Sequence, residues 1–350
     1  MKMIDLKKYD YTLPDYLIRK QGIEPRDSAR LFVYDTKTDA ITFDTFRHIA
    51  KYLPRQSLVM LNNTTVLPAR LWLKKETGGK IEVFVLANEI EDEKCIPVLV
   101  DRKTEKGQKL FFTNGDFLEV IDQKENLFFV RLVSQENISL QILLETYGET
   151  PLPHYLEGAN ISEDVLRKRY QTVFARDGAS VAAPTASLHF TDEVFQSLEE
   201  KNIETDFLTL NVGLGTFAPL ADENFITKKL HTEFINISLE TAQHIDAAMD
   251  EKKNIIAVGT TALRTLESSM CDQRILPQNG KTEIFIYPPY EFRVVDILVT
   301  NFHLPKTSLM LLVDAFLQDK KAKKSIVELY QIAIANEFTF YSFGDSMLIL

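Results

Sequence analysis

The chain has 350 residues, 40 basic and 50 acidic side chains and a net charge of −10, and its apolar (45%) and charged (26%) fractions are those of a globular protein. Disordered, collagen-like and mucin-like classes are thereby excluded, and the length favours two domains. No apolar run approaches the ~18–20 residues of a membrane span and residues 1–16 lack an apolar signal core, so a cytoplasmic chain without membrane contact is expected. Cys95 and Cys271 are the only cysteines, too few for a disulfide framework or a Cys-based metal site.

In chain order, residues 57–61 form an apolar run that predicts a buried strand, followed by a loop over 62–65. From 69 to about 133, short runs rich in Val, Ile, Leu and Phe alternate with turn signals: Thr77-Gly78-Gly79, Lys106-Gly107 and Asn114-Gly115-Asp116. That spacing predicts a small antiparallel β-barrel. A helix over 138–147 ends at Gly148, and Pro151-Leu152-Pro153 reads as a linker. Thr191 caps a helix to about 201, and a strand over 206–212 follows. A helix over 239–252 leads to a strand over 254–258, after which Thr261 caps a helix over 262–270. Strands over 283–287 and 293–299, a helix from Pro305 through 316 and a last helix over 325–336 complete the pattern. Such alternation predicts an α/β fold with a mostly parallel sheet. The larger α/β domain would comprise 1–66 and 151–350, with the small antiparallel β-barrel inserted over 67–150.

Ligands of α/β sheets bind where strand ends meet helix N-termini, so the junctions are the places to look for chemistry. Val258-Gly259-Thr260-Thr261 is one, with Arg264 a turn later facing an anionic ligand or, alternatively, pairing with Glu267. Residues 300–308 are a second, bringing Asn301, His303 and Lys306 before a helix; His303 is alternatively a buried structural histidine. The third, residues 180–191, has small residues that let a planar ligand approach and ends in His189, which is either a proton carrier or structural. Residues 213–218 fit G-x-G-x-x-A with Glu233 twenty positions on, but Pro219 follows at once and no crossover helix is evident. A tight glycine loop near a ligand is favoured there over a dinucleotide cradle. His231-Thr232-Glu233 has the wrong spacing for a helical ligand pair, and no metal site is expected. The acidic balance disfavours a general nucleic-acid coat protein, so any RNA substrate must meet a local basic patch: Lys7-Lys8, Lys74-Lys75, Arg167-Lys168-Arg169 or 320–324. The plain alternative for each is a solvated face.

These loops, taken together, resemble the S-adenosylmethionine:tRNA ribosyltransferase-isomerase family of queuosine biosynthesis. The resemblance runs through Tyr9-Asp10-Tyr11, residues 26–31, Thr77-Gly78-Gly79, Tyr170-Gln171-Thr172-Val173, 180–190, 212–217, 258–267, 284–295, 300–309 and 344–350. It implies that the ribosyl unit of S-adenosylmethionine is moved to the aminomethyl group of a 7-deazaguanine at the tRNA wobble position and isomerised to epoxyqueuosine, with adenine and methionine released. S-adenosylmethionine would be a co-substrate, with no further cofactor, and the enzyme a monomer. The residues expected to be catalytic are Thr185, His189 and His303; substrate-binding, Tyr170, Gly213, Gly215, Thr260, Thr261, Arg264, Asn301 and Asp345; and RNA-binding, Arg167, Lys168 and Arg169, because they immediately precede the Tyr170-Gln171-Thr172 segment that leads to His189. The chain departs from the family pattern at Asn63, Thr65, Ser187, Asn211 and Pro289. A non-catalytic RNA-binding paralogue and a dinucleotide-dependent oxidoreductase are the alternative readings.

Overall fold

The computed structural model describes residues 4–156, 161–213 and 220–350. The strands in chain order are β1 (Arg30–Asp35), β2 (Ala40–Thr45), β3 (Ser57–Asn62), β4 (Thr64–Val66), β5 (Arg70–Lys75), β6 (Lys80–Val85), β7 (Ile96–Val100), β8 (Lys109–Phe111), β9 (Phe117–Lys124), β10 (Leu127–Val133), β11 (Gly148–Glu149), β12 (Asp177–Ser180), β13 (Glu204–Asn211), β14 (Lys229–Ile237), β15 (Asn254–Val258), β16 (Met270–Cys271), β17 (Arg274–Ile275), β18 (Gln278–Ile284), β19 (Ile297–Asn301) and β20 (Ser346–Ile349). The helices are α1 (Ile49–Tyr52), α2 (Leu140–Tyr147), α3 (Glu163–Arg169), α4 (Asp192–Glu199), α5 (Asp222–Thr227), α6 (Leu239–Asp250), α7 (Gly259–Ser269), α8 (Ser308–Asp319) and α9 (Ile326–Ala335).

Nine strands form the large sheet in the order β18-β14-β13-β3-β15-β19-β20-β1-β2. Its centre, β13-β3-β15-β19, is parallel, and β1 runs parallel to β20. The pairings β18–β14, β14–β13, β19–β20 and β1–β2 are antiparallel. The sheet is therefore mixed, which corrects the expectation of a mostly parallel one. An apolar run specifies that a strand is buried but not which way it runs.

Alternation along each central strand divides the core. Leu58, Met60, Ile255, Ala257 and Leu298 face α6, α7, α8 and α9, whereas Val59, Leu61, Ile256, Val258 and Val299 face α1 and α4. Each Leu, Ile, Val or Met among them stabilises the fold by roughly 1.5–3 kcal/mol when fully buried. Local helix signals hold where a side chain closes the cap: Thr191 accepts from Val194 N–H, and Ser325 and Glu328 form a capping box on α9.

Several boundaries differ from the sequence reading. The 62–65 segment contributes to β3 and β4 instead of a loop, because Thr64 hydrogen-bonds through Ser180 and Asn211 and β4 pairs with β12. α7 begins at Gly259 rather than after Thr261: Gly259, at φ 88°, lets the chain leave β15 directly into the helix. α8 starts at Ser308, not Pro305, and strands over 278–284 and 297–301 replace those expected over 283–287 and 293–299.

The insert is antiparallel, ordered β11-β5-β6-β7-β10-β9-β8, and β5 also pairs with β8 through Lys74↔Phe111 and Lys75↔Leu110. It has its own core, in which Leu71, Leu73, Ile81, Val83, Leu118 and Val130 pack with Leu140, Leu143 and Leu144 of α2. No helix among the described residues is long and apolar enough to cross a membrane.

Candidate functional site

At the carboxyl ends of β13, β15 and β19 lies a cleft that is partly open to solvent. Thr185, Thr260, Thr261, Asn301 and His303 line it together, so all three sequence-predicted junctions meet there. Thr185 Oγ1 donates to Asn301 Oδ1 at 2.8 Å, joining the small-residue loop to the end of β19. That leaves the amide nitrogen of Asn301 and the hydroxyl of Thr261 buried without a hydrogen-bond partner among the described residues. A buried polar atom left open costs about 1–3 kcal/mol, which a ligand carrying the complementary group would recover.

His303 is fixed at three points. Its Nε2 and Thr300 Oγ1 are 2.9 Å apart, its backbone N–H donates to Tyr330 OH at 2.9 Å, and its carbonyl accepts from Tyr11 OH. Burial pushes the imidazole down to about 3. The ring is thus neutral at pH 7 and offers one donor and one acceptor. The sequence reading missed Tyr155, Tyr341 and Ser342 on the opposite wall, where Tyr155 OH and Ser342 Oγ lie 2.6 Å apart and the Tyr155 and Tyr341 rings are 4.9 Å apart. Only the proximity of Tyr155 to the linker prolines could have hinted at them.

Arg264 sits one turn into α7, on the side of Thr260 and Thr261, and is 3% exposed. Its Nη1 pairs with Glu233 on β14, not with Glu267. The i,i+3 spacing misleads because Glu267 faces the other way, accepting backbone N–H groups of Arg293, Val294 (3.0 Å) and Val295 (3.2 Å). Burial pushes the Glu267 carboxyl up, opposed by those N–H groups. Glu233 also accepts from Gly213 N–H at 3.4 Å. Nε and Nη2 of Arg264, which form one edge of the guanidinium, are buried and have no partner among the described residues.

The remaining predicted residues lie elsewhere. His189 is in a second, smaller pocket with Arg26 and Arg169, separated from the cleft by Ser342, which lines both. Its Nδ1 faces the Arg26 carbonyl at 3.3 Å, and burial pushes its imidazole down to about 4 against the pull of Asp345. Tyr170 is buried against Phe343, and burial raises its phenol. Asp345 clamps its own neighbourhood, accepting from Arg30 N–H (2.9 Å), Thr339 N–H (2.7 Å) and Thr339 OH (2.9 Å). Gly213 abuts Asn88, whose amide nitrogen would stand 2.8 Å from any Cβ there; Gly215 lies outside the described residues. Arg167 is committed to Glu163 (2.9 Å) and to the carbonyls of Glu145 and Gly148, and Arg169 to Glu24 (3.5 Å), whereas Lys168 is exposed.

Of the departures, Asn63 is fully used, donating to Asp177 (2.8 Å) and accepting from Thr209 (2.7 Å), and Asn211 accepts from Thr64 (3.0 Å) and Ala179 N–H (3.1 Å). No group of three or more His, Cys, Asp or Glu positioned for a metal occurs among the described residues.

The family model described as queuosine biosynthesis protein matches residues 6–349. The chain is 41% identical to the S-adenosylmethionine:tRNA ribosyltransferase-isomerase of Thermosipho melanesiensis, covering 98% of this chain and 99% of that one. It is also 41% identical to the protein of that name from Clostridioides difficile, over 100% of both chains. A crystal structure of S-adenosylmethionine tRNA ribosyltransferase from Thermotoga maritima, 31% identical, superposes with a TM-score of 0.54 over 98% of this chain and 100% of that one.

Proposed function

This chain belongs to the queuosine biosynthesis protein family, and from that premise we propose that it is an S-adenosylmethionine:tRNA ribosyltransferase-isomerase acting in the cytoplasm as a monomer. It transfers the ribosyl unit of S-adenosylmethionine to the 7-aminomethyl-7-deazaguanine at the tRNA wobble position and isomerises it, releasing adenine and methionine. The sulfonium acidifies the C5′ protons, so that loss of one of them starts the departure of adenine. S-adenosylmethionine is a co-substrate here, and no other cofactor is invoked.

The observation that carries this reading is the open edge of Arg264. Glu233 holds Nη1 and turns Nε and Nη2, the edge that matches two carboxylate oxygens, away from itself. Thr260 and Thr261 line the cleft and Arg264, one turn further into α7, does not; the methionine carboxylate of the donor is assigned to the Arg264 edge that has no partner among the described residues, next to those two threonines. Asn301, Thr185 and His303 then face the heterocycle as hydrogen-bonding groups, and neutral His303 suits an uncharged ring. His189 acts from behind the Ser342 wall, while Gly213, Tyr170 and Asp345 shape the loops around the cleft. The β5–β8 pairing supports reading residues 67–150 as a closed barrel set into an α/β domain of 1–66 and 151–350. Incubation with S-adenosylmethionine and tRNA carrying the aminomethyl-deazaguanine, followed by mass spectrometry of the nucleosides, should show epoxyqueuosine and free adenine. Methylated tRNA with S-adenosylhomocysteine as the co-product would refute the assignment.

A further inference from the structure

On the insert, Leu71, Leu73, Ile81, Leu110 and Leu118 point into the core, so alternation turns Trp72, Lys74, Lys80, Lys109, Phe111 and Phe117 outward. The registers align a row across four strands: Lys80↔Lys74 (β6–β5), Lys74↔Phe111 (β5–β8) and Phe111↔Phe117 (β8–β9). Two lysines thus stand directly opposite each other, an arrangement that repels unless an anion lies between or over them. The rings of Phe111 and Phe117 are 5.3 Å apart, Lys109 lies 5.0 Å from the Phe117 ring centre, and Lys80 lies 4.1 Å from that of Trp72, which is 38% exposed.

The acidic neighbours do not neutralise these lysines. Glu82 is paired with Arg70 (3.3 Å), Glu119, opposite Lys109 in the β8–β9 register, with Arg131 (2.5 Å), and Glu149 accepts from the Trp72 indole N–H (2.9 Å), whereas Lys74, Lys80 and Lys109 have no carboxylate ion-pair partner among the described residues. Positive charge interleaved with outward-facing rings, Trp72 exposed and Phe111 and Phe117 half-buried, matches one polymer in both respects: phosphates meet the lysines, and sugars and bases meet the rings. None of these residues lines the cleft or the His189 pocket.

The geometry points to this face of the insert as a docking surface for an RNA strand of the tRNA substrate, an inference that rests on the function proposed above. It also answers how a chain of net charge −10 meets a polyanion when Arg167 and Arg169 are held by the protein itself.

Trp72 is the only tryptophan, so the unmodified enzyme reports on this surface. Titration with tRNA should quench or shift its fluorescence, with an apparent Kd matching the tRNA KM. The combined substitutions Lys74→Gln, Lys80→Gln and Lys109→Gln should raise the tRNA KM at least about fivefold and flatten its log–log salt slope by about 0.7–0.9 for each phosphate no longer neutralised. S-adenosylmethionine affinity, which serves as the check on folding, should stay at the wild-type value. A triple variant with wild-type tRNA KM and salt slope, or Trp72 emission indifferent to saturating tRNA while the enzyme turns that tRNA over, would overturn the docking surface alone. Failure of the wild-type enzyme to bind or modify tRNA would instead overturn the function on which it rests.

Discussion

Substituting Arg264 by lysine separates charge from shape at the guanidinium next to Thr260 and Thr261. Lysine keeps one positive charge beside Glu233, whereas truncation to alanine would remove the cation of this buried pair at a cost of about 3–5 kcal/mol in stability. What lysine cannot reproduce is the Nε–Nη2 edge, two parallel donors in a fixed plane. Charge-assisted hydrogen bonds contribute roughly 1.5–3 kcal/mol each, and an ammonium can restore about one of the two. The expected net loss is therefore about 1.5–3 kcal/mol, which at 1.4 kcal/mol per decade is a rise of roughly 10- to 150-fold in the Kd for S-adenosylmethionine. Calorimetric titration of the donor against Arg264→Lys, with tRNA affinity measured in parallel, gives the answer directly. Donor affinity within twofold of wild type in a folded variant would refute the reasoning and reduce the Arg264–Glu233 pair to a structural tie. A loss confined to tRNA affinity would move the edge from carboxylate to phosphate.

His303→Gln should lower turnover by about 100-fold while sparing donor binding more than catalysis, as expected for a group that acts on the departing heterocycle. Because burial holds its imidazole near 3, kcat of the wild-type enzyme should show no inflection from His303 between pH 5 and 8. His189 bears on stability. Its ordinary value of 6.5 falls to about 4 in the folded chain, so the unfolded chain binds the extra proton between those values. Stability is then complete above about pH 6.5 and declines as pH falls toward 4, with up to about 3 kcal/mol at stake. Denaturant titrations from pH 7 to 4 should show His189→Gln losing less stability than wild type across that window; parallel curves would remove His189 from the account.

What could be read from the sequence was what short-range physics decides. Thr191 and Ser325 announce their helices because a cap needs only residues within one turn, and the insert shows itself by alternation and Gly turns. The antiparallel members β14 and β20 escaped altogether, and the mixed direction of the sheet with them, because both are fixed as strands by partners far away in the chain. The cleft could be anticipated at three junctions, since strand ends and helix starts are local features. Its electrostatics could not: the partner of Arg264 is 31 positions back on β14, and the guanidinium of Arg167 turns toward carbonyls of α2 and β11. His189 looked equivalent to His303 in composition, and only tertiary packing put Ser342 between them.

The position of β20 governs how this molecule can be made. The hairpin of β1 and β2 joins the rest of the large sheet only through β20, which lies between β1 and β19. On the ribosome, at 5–20 residues per second, the hairpin emerges roughly 15–60 s before its only neighbour in the sheet. During that interval the inner edge of β1, on the side away from β2, is an unfilled slot and half of the aromatic cluster around Phe32 lacks its backing. Nascent chains should therefore be the form most in need of a holding chaperone, and lesions in residues 346–349 should act by preventing closure of the sheet.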